Sequence, residues 1–207
     1  MLYKSDIANL ALGHLGVSQT VGDLSTENTL QAKIIRRNFR LALDTMLEAH
    51  EWGFATQFAE LALVEESPIP GYSFCYAMPS DALVMRVLAI DGEFPLQRQY
   101  ESQKHEFREV YNGAGERLLY TNVERAHGEY TTRLSEEIAF PSHFGRGLSH
   151  QLALDIAPSL ITNNFPKVKA ALMDAARYEI SRAMASDLGR QTLLQDSPSP
   201  FFATRLR

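Results

Sequence analysis

Two stretches of helical spacing flank a middle stretch in which short apolar and aromatic runs alternate with turn signals. Residues 5–15 carry Ile7, Leu10, Ala11 and Leu15 at a spacing that lines one face of a helix, with Ser5 as N-cap and Gly16 as the stop. A polar connector leads into residues 27–50, where Leu30, Ile34, Leu41, Met46 and Leu47 recur at helical spacing behind a cap at Ser25 or Thr26. Lys33, Arg36, Arg37 and Arg40 fall on the outer side of this second helix, which reads either as a solvated face or as a strip for docking.

The helical stripe does not persist beyond Phe54. Short runs rich in aromatic, aliphatic and β-branched residues follow, at 58–64, 72–77, 83–90, 94–97, 117–121 and 129–134. They are separated by turn signals at Pro68-Ile69-Pro70-Gly71, Pro79-Ser80-Asp81, Asp91-Gly92, Gly113-Ala114-Gly115 and His127-Gly128, of which Asp91-Gly92 is the strongest hairpin signal. Residues 102–111 have an ambiguous pattern that could form a short helix. Helical spacing returns with Leu148, Leu152, Ile156, Leu160 and Ile161, and Pro158 inside that run predicts a kink or an early end. A last helix is expected from Pro166 through Val168, Leu172, Ala175, Ala183, Met184 and Leu188 to Gly189. The fold expected is α+β: a helical bundle built from the N- and C-terminal segments (1–54 and 136–195), a central antiparallel β-rich insertion (55–135), and an extended C-terminal arm (196–207).

Composition sharpens this only modestly. At 207 residues with 45% apolar positions the chain has enough material for a proper core. A net charge of −5 argues against tight binding to nucleic acid, which needs clustered Lys and Arg, but is compatible with walls along which DNA slides. The single cysteine, Cys75, lies in an expected strand between Phe74 and Tyr76, so no internal disulfide is available and an inert buried thiol is expected. No stretch approaches the roughly 20 apolar residues of a membrane helix, and the chain is expected to be cytosolic when made.

Candidate chemistry is sparse. The six histidines (14, 50, 105, 127, 143 and 150) show no H-E-x-x-H pair, and His143 and His150 are too far apart on a straight helix to chelate, so surface or capping roles are expected. Phosphate-loop, dinucleotide and nucleophile-elbow patterns are absent, and Gly145-Arg146-Gly147 reads as a helix start. The adjacent pairs Glu65-Glu66 and Glu136-Glu137 point in different directions and read as solvated charge. Trp52, the only tryptophan, marks the passage from long helix to β-rich part and is expected to clamp one to the other. No catalytic, metal-binding or cofactor-binding residue is assigned.

Several of these residues together resemble a known family. The order I-x-N-x-A-L-x-x-L-G from Ile7 to Gly16, the long helix ending in Ala49-His50-Glu51-Trp52-Gly53-Phe54-Ala55, the later Tyr72-x-x-x-Tyr76-x-Met78-Pro79-x-Asp81-Ala82-Leu83 and the C-terminal helical pair resemble the tail tubular protein A family, head-to-tail adaptors of short-tailed bacteriophages and related prophages. The likeness spans nearly the whole chain, and its order and spacing are more specific than any one motif. It departs where Glu51 stands, a position at which the family usually has proline.

The resemblance implies a virion structural protein and no enzyme: a homo-oligomeric ring, usually a dodecamer, that joins the portal protein to the tail nozzle protein and continues the channel for double-stranded DNA. It places Trp52, Phe54, Pro79 and Asp81 at a structural junction. The tail QDSPSPFFATRLR, with Pro198, Pro200, Phe201, Phe202, Arg205 and Arg207, is then expected to be an arm that orders on the portal. Other readings are a head- or tail-completion protein of a long-tailed phage, a small cytosolic hydrolase or nuclease whose carboxylates gather only in three dimensions, and a monomeric ligand-binding module.

Overall fold

The computed structural model describes residues 1–64, 69–90, 105–161 and 165–189. Among them are helices α1 (Lys4–His14), α2 (Leu30–Glu48), α3 (Ser142–Leu160) and α4 (Phe165–Leu188). Between α2 and α3 lie strands β1 (Thr56–Glu60), β2 (Ala62–Leu63), β3 (Phe74–Ala77), β4 (Ala82–Ile90), β5 (Phe107–Tyr111), β6 (Arg117–Thr121) and β7 (Ala126–Thr132). The fold class is mixed α+β, with antiparallel sheets ordered β1-β7-β4 and β2-β3-β6-β5.

α1 begins before its expected cap: the Tyr3 carbonyl accepts from Ile7 N–H at 3.0 Å and the Asp6 carboxylate accepts from Tyr3 N–H at 2.9 Å, so Ser5 lies within the first turn. Its buried face is Ile7, Ala8, Ala11 and Leu12, with Leu10 turned to solvent rather than inward. The reason is Asn9, whose side-chain amide pairs with both backbone groups of Val21, at 3.0 and 2.8 Å, and fixes the helix rotation against the following loop.

α2 is capped by Thr29, whose hydroxyl accepts from Ala32 N–H, and not by Ser25 or Thr26. Those two hydroxyls are committed to Asp23 at 2.6 and 2.8 Å, and these hydrogen bonds hold the Asp23 carboxyl down at about 2. The expected cationic face also divides. Arg36 donates to the Ser25 carbonyl, and Arg40 donates to the Leu134 carbonyl and pairs with Asp44 at 2.6 Å, which leaves Lys33 and Arg37 on the exposed surface.

Several β-region expectations need correction. The run at 58–64 is two strands in different sheets, because Leu61 turns inward between them and donates its N–H to the Ala126 carbonyl. His127-Gly128 is not a turn but part of β7. A Cβ on Gly128 would lie 2.8 Å from Met85 Sδ and 3.3 Å from a Leu61 methyl, so the glycine marks a close approach across the sheets. The ambiguous segment contains a strand, β5, and no helix among its described residues. It joins β6 through the expected turn, where Asn112 Oδ1 accepts from the N–H groups of Ala114 and Glu116, with Gly115 at φ 82°. The Asp91-Gly92 hairpin, the strand at 94–97 and the arm at 196–207 lie outside the described residues.

α3 carries Pro158 in its last turn and ends at Leu160. α4 starts at Phe165, one residue ahead of Pro166. Ile7, Ile35, Phe39, Leu43, Phe144, Leu148, Leu152 and Ile156 are fully buried in a core drawn from both ends of the chain. A second core, with Tyr76, Met85, Leu88, Leu119 and Tyr130, lies between the two sheets.

The passage from α2 to the sheets is fixed by side chains from several elements. Arg86 on β4 donates to the carbonyls of Leu47, Glu48 and His50, at 3.4, 2.9 and 3.2 Å, and through Nε to Thr131 Oγ1 at 3.1 Å. A cation there satisfies carbonyls that a helix end leaves without partners and complements the negative end of its dipole. Trp52, fully buried, donates Nε1–H to the Met46 carbonyl at 2.6 Å. Replacing Arg86 with methionine, which keeps the aliphatic stem, is expected to cost on the order of 2 kcal/mol. Urea unfolding checks it: an unchanged midpoint would mean that the contacts to α2 contribute nothing.

Candidate functional site

The four residues expected at a structural junction lie in two places, the α2–β1 connector and the β3–β4 turn. Trp52 packs edge-on to Phe144 with centroids 4.9 Å apart, and Phe54 does the same at 5.0 Å, so the connector is wedged against α3. Pro79 and Asp81 form the β3–β4 turn, where the Pro79 carbonyl accepts from Ala82 N–H. Asp81 accepts from Thr132 Oγ1 at 2.7 Å through its carboxylate and from Arg133 N–H at 2.7 Å through its carbonyl, tying that turn to the end of β7. The arm residues Pro198, Pro200, Phe201, Phe202, Arg205 and Arg207 lie outside the described residues.

Four histidines gather where surface or capping roles were expected. His143, in the first turn of α3, and His50, just beyond α2, approach Asp187 near the end of α4, at 3.6 and 3.7 Å. All three side chains are largely buried, and Asp187 Oδ2 also accepts from Gly53 N–H at 3.1 Å. Two turns further along α3, His150 stacks on His14 of α1 with ring centroids 3.8 Å apart and an interplanar angle of 14°. The polar layer thus runs along the seam of α3 and α4 and holds α1 and the α2 exit against it.

The His14–Ser149 contact, 3.1 Å, has the composition of a base and a nucleophile but not the proton arrangement. Ser149 gives its hydroxyl proton to the Arg146 carbonyl at 2.7 Å, so its oxygen accepts from the His14 ring. The hydroxyl is also buried. Nearby, Ser142, His143 and Arg146 from α3 and Glu179, Arg182 and Ser186 from α4 line an open cleft of about 220 Å³. Arg182 and Glu179, one turn apart on the α4 side, approach to 3.6 Å, and this mixed charge selects neither an anion nor a cation. Among the described residues, no three His, Cys, Asp or Glu side chains are arranged to hold a metal ion.

Three other expectations resolve simply. Cys75 is a buried thiol in no disulfide. Gly145 and Gly147 lie inside α3 rather than at its start: a Cβ on Gly145 would be 2.9 Å from Leu2, and one on Gly147 3.0 Å from Met46. Glu136 and Glu137 both pair with Lys4 and are not left to solvent alone. Among the described residues no helix is long and apolar enough to cross a membrane.

The histidine layer was missed because its members are far apart in sequence. One signal was present: His143 and His150 are seven residues apart on α3, while Glu179 and Asp187 are eight apart on α4, so two antiparallel helices bring the pairs level. A scan against protein-family models and a search of curated proteins find no match for this chain.

Burial, and next to it the neighbouring His150, push the His14 pKa from 6.5 down to about 4, with Glu179 opposing; burial lowers His150 too. Both rings are held neutral in the fold and take up protons more readily when unfolded. Their contribution is complete above about pH 6.5 and falls as pH drops from there toward 4. The urea midpoint is therefore expected to decline across this window, and less steeply in His14→Gln/His150→Gln. An equal decline in both proteins would show that these rings are not its source.

Proposed function

We propose that the chain is a virion structural protein, a head-to-tail adaptor of a short-tailed bacteriophage that forms a ring between portal and tail nozzle and encloses the DNA path. The observation that carries this reading is the ordered set of motifs from Ile7 to Leu83, followed by the C-terminal helical pair. Physical features of the chain support it. The residues that carry the resemblance are structural: Asn9 orients α1, Trp52 and Phe54 wedge the connector, and Asp81 anchors the β3–β4 turn. They form a scaffold rather than a chemical centre. A subunit of a closed ring has to present two different surfaces to its two neighbours, and a helical part joined firmly to a β-rich part has surfaces of different chemistry.

DNA is expected to pass such a ring without specific binding, in keeping with a net charge of −5, since each phosphate contact would deepen a trap along the path. The portal is the partner that distinguishes this reading from a completion protein of a long-tailed phage. Mixing the purified chain with its cognate portal ring is expected to give a complex with one copy per portal subunit, read by native mass. Deleting residues 198–207 is expected to weaken attachment while leaving the unfolding midpoint unchanged. Absence of any complex across a range of salt concentrations would refute the adaptor reading, and undiminished attachment of the truncated chain would refute the role of the arm.

A further inference from the structure

The outer face of α2 carries an unusual stripe. Leu30 and Leu41 are 63% and 62% exposed, and Lys33 and Arg37, also exposed, lie between them along the same side of the helix. Leu30 and Leu41 are about 16 Å apart along the axis, so the apolar ends bracket the two cations. Arg36 and Arg40, the other cations of α2, are engaged within the chain. Glu48, two turns beyond Leu41, marks where the stripe changes sign.

The rest of the molecule offers a matching surface. Residues 55–135 hold seven basic and twelve acidic side chains, so this part carries the whole net charge of −5 and the remainder of the chain is neutral. On β1, an edge strand of its sheet, Phe58 is 60% exposed and Glu60 is exposed on the same side, two residues on. Glu129 on β7 stands opposite Phe58 in the strand register and adds a second carboxylate to that side. Arg37 and Leu41 are about 6 Å apart along α2, and Phe58 and Glu60 about 6.6 Å apart along β1. One surface thus presents cation and aliphatic side chain, the other aromatic and carboxylate, at nearly the same interval.

We propose that the α2 stripe of one copy docks on the Phe58–Glu60 side of β1 in a second copy. Arg37 meets Glu60, and Leu41 covers Phe58. The inference rests on the adaptor reading and deepens it by naming the contact between ring neighbours. Both surfaces stand exposed on a single chain while the α2 exit is pinned to β4 and β7, so a second copy is the occupant that complements both. Because the two surfaces differ, the contact is head-to-tail, the type that propagates around a ring.

Arg37→Glu and Glu60→Lys test the pairing, each at a surface position where the unfolding midpoint is expected to match the parent. Self-association is measured by sedimentation, with and without the portal ring. Each single variant is expected to associate at least tenfold more weakly, and both the double variant and an equimolar mixture of the singles to recover. Single variants that assemble like the parent, or a double variant that does not recover, would overturn the proposed contact and leave the adaptor reading standing. A parent chain that never associates, with portal or without, overturns both.

Discussion

The structure depends on how the chain leaves α2. A helix of 19 residues ends in carbonyls that its own backbone cannot satisfy, and here that end meets a sheet on one side while Glu48 and Ala49 face solvent. Side chains from three parts of the chain meet at this exit. Arg86 arrives from β4 to take the last carbonyls, Trp52 folds back to the Met46 carbonyl, and Asp187 comes from the far end of α4 to accept from Gly53. None of these partners is local to the helix end except Trp52, so the joint forms only when the sheet and the last helix are both in place. Of these bonds the one from Trp52 to the Met46 carbonyl is buried, so removing it leaves a buried polar group unpaired, which costs more than the lost bond alone. The chain therefore couples its helical and β-rich parts at the point where a simple linker would let them swing.

The histidine layer extends that coupling inward. His50 and His143 share Asp187 beneath Trp52, and the His14–His150 stack continues the same seam along α3. Stacked imidazoles tolerate each other only while neutral, and burial first, then the neighbouring His150, keeps the His14 pKa low. An apolar layer would have packed as well, but polar rings with directional partners also set the rotation of each helix about its own axis. The layer thus fixes how α1, α3 and α4 face one another, and with them the direction in which the α2 stripe points.

How much of this was legible in the sequence follows from the range of the interactions. β4 and β6 were readable because a run of apolar and aromatic residues bounded by turn signals is local, and the expected span of β6, 117–121, coincides with the strand. The tight turns at Pro79 and Asn112–Gly115 were readable from residue type, because their hydrogen bonds close within a few residues. The α2 cap was misplaced because Ser25 and Thr26 suit a cap, and nothing local reveals that Asp23 has already engaged their hydroxyls. Gly128 was read as a turn for the same reason: the demand for a missing Cβ comes from Met85 on a neighbouring strand and Leu61 beyond it. The role of Trp52 was legible because a lone tryptophan at a change of periodicity has few alternatives, whereas the convergence of His50, His143 and Asp187 needed the packing of three helices.

In the proposed ring, a firm joint and a weak contact serve different ends in each subunit. Exposed ion pairs contribute roughly 0–1 kcal/mol each, and covering one leucine and one phenylalanine adds only a few more before the entropy of association is subtracted. One such contact does not hold two copies together at ordinary concentration. Repeated around a template, each copy gains two neighbours and a third partner, and the second and third contacts form at the high effective concentration set by the first. That gain is lost if the subunit bends, because a small angular error at each step prevents the ring from closing. In the proposed ring, rigidity between α2 and β1 is what would convert a marginal pairing into a closed assembly. The half-buried Arg86 at the helix end and the exposed Arg37 on its face would then serve the same requirement.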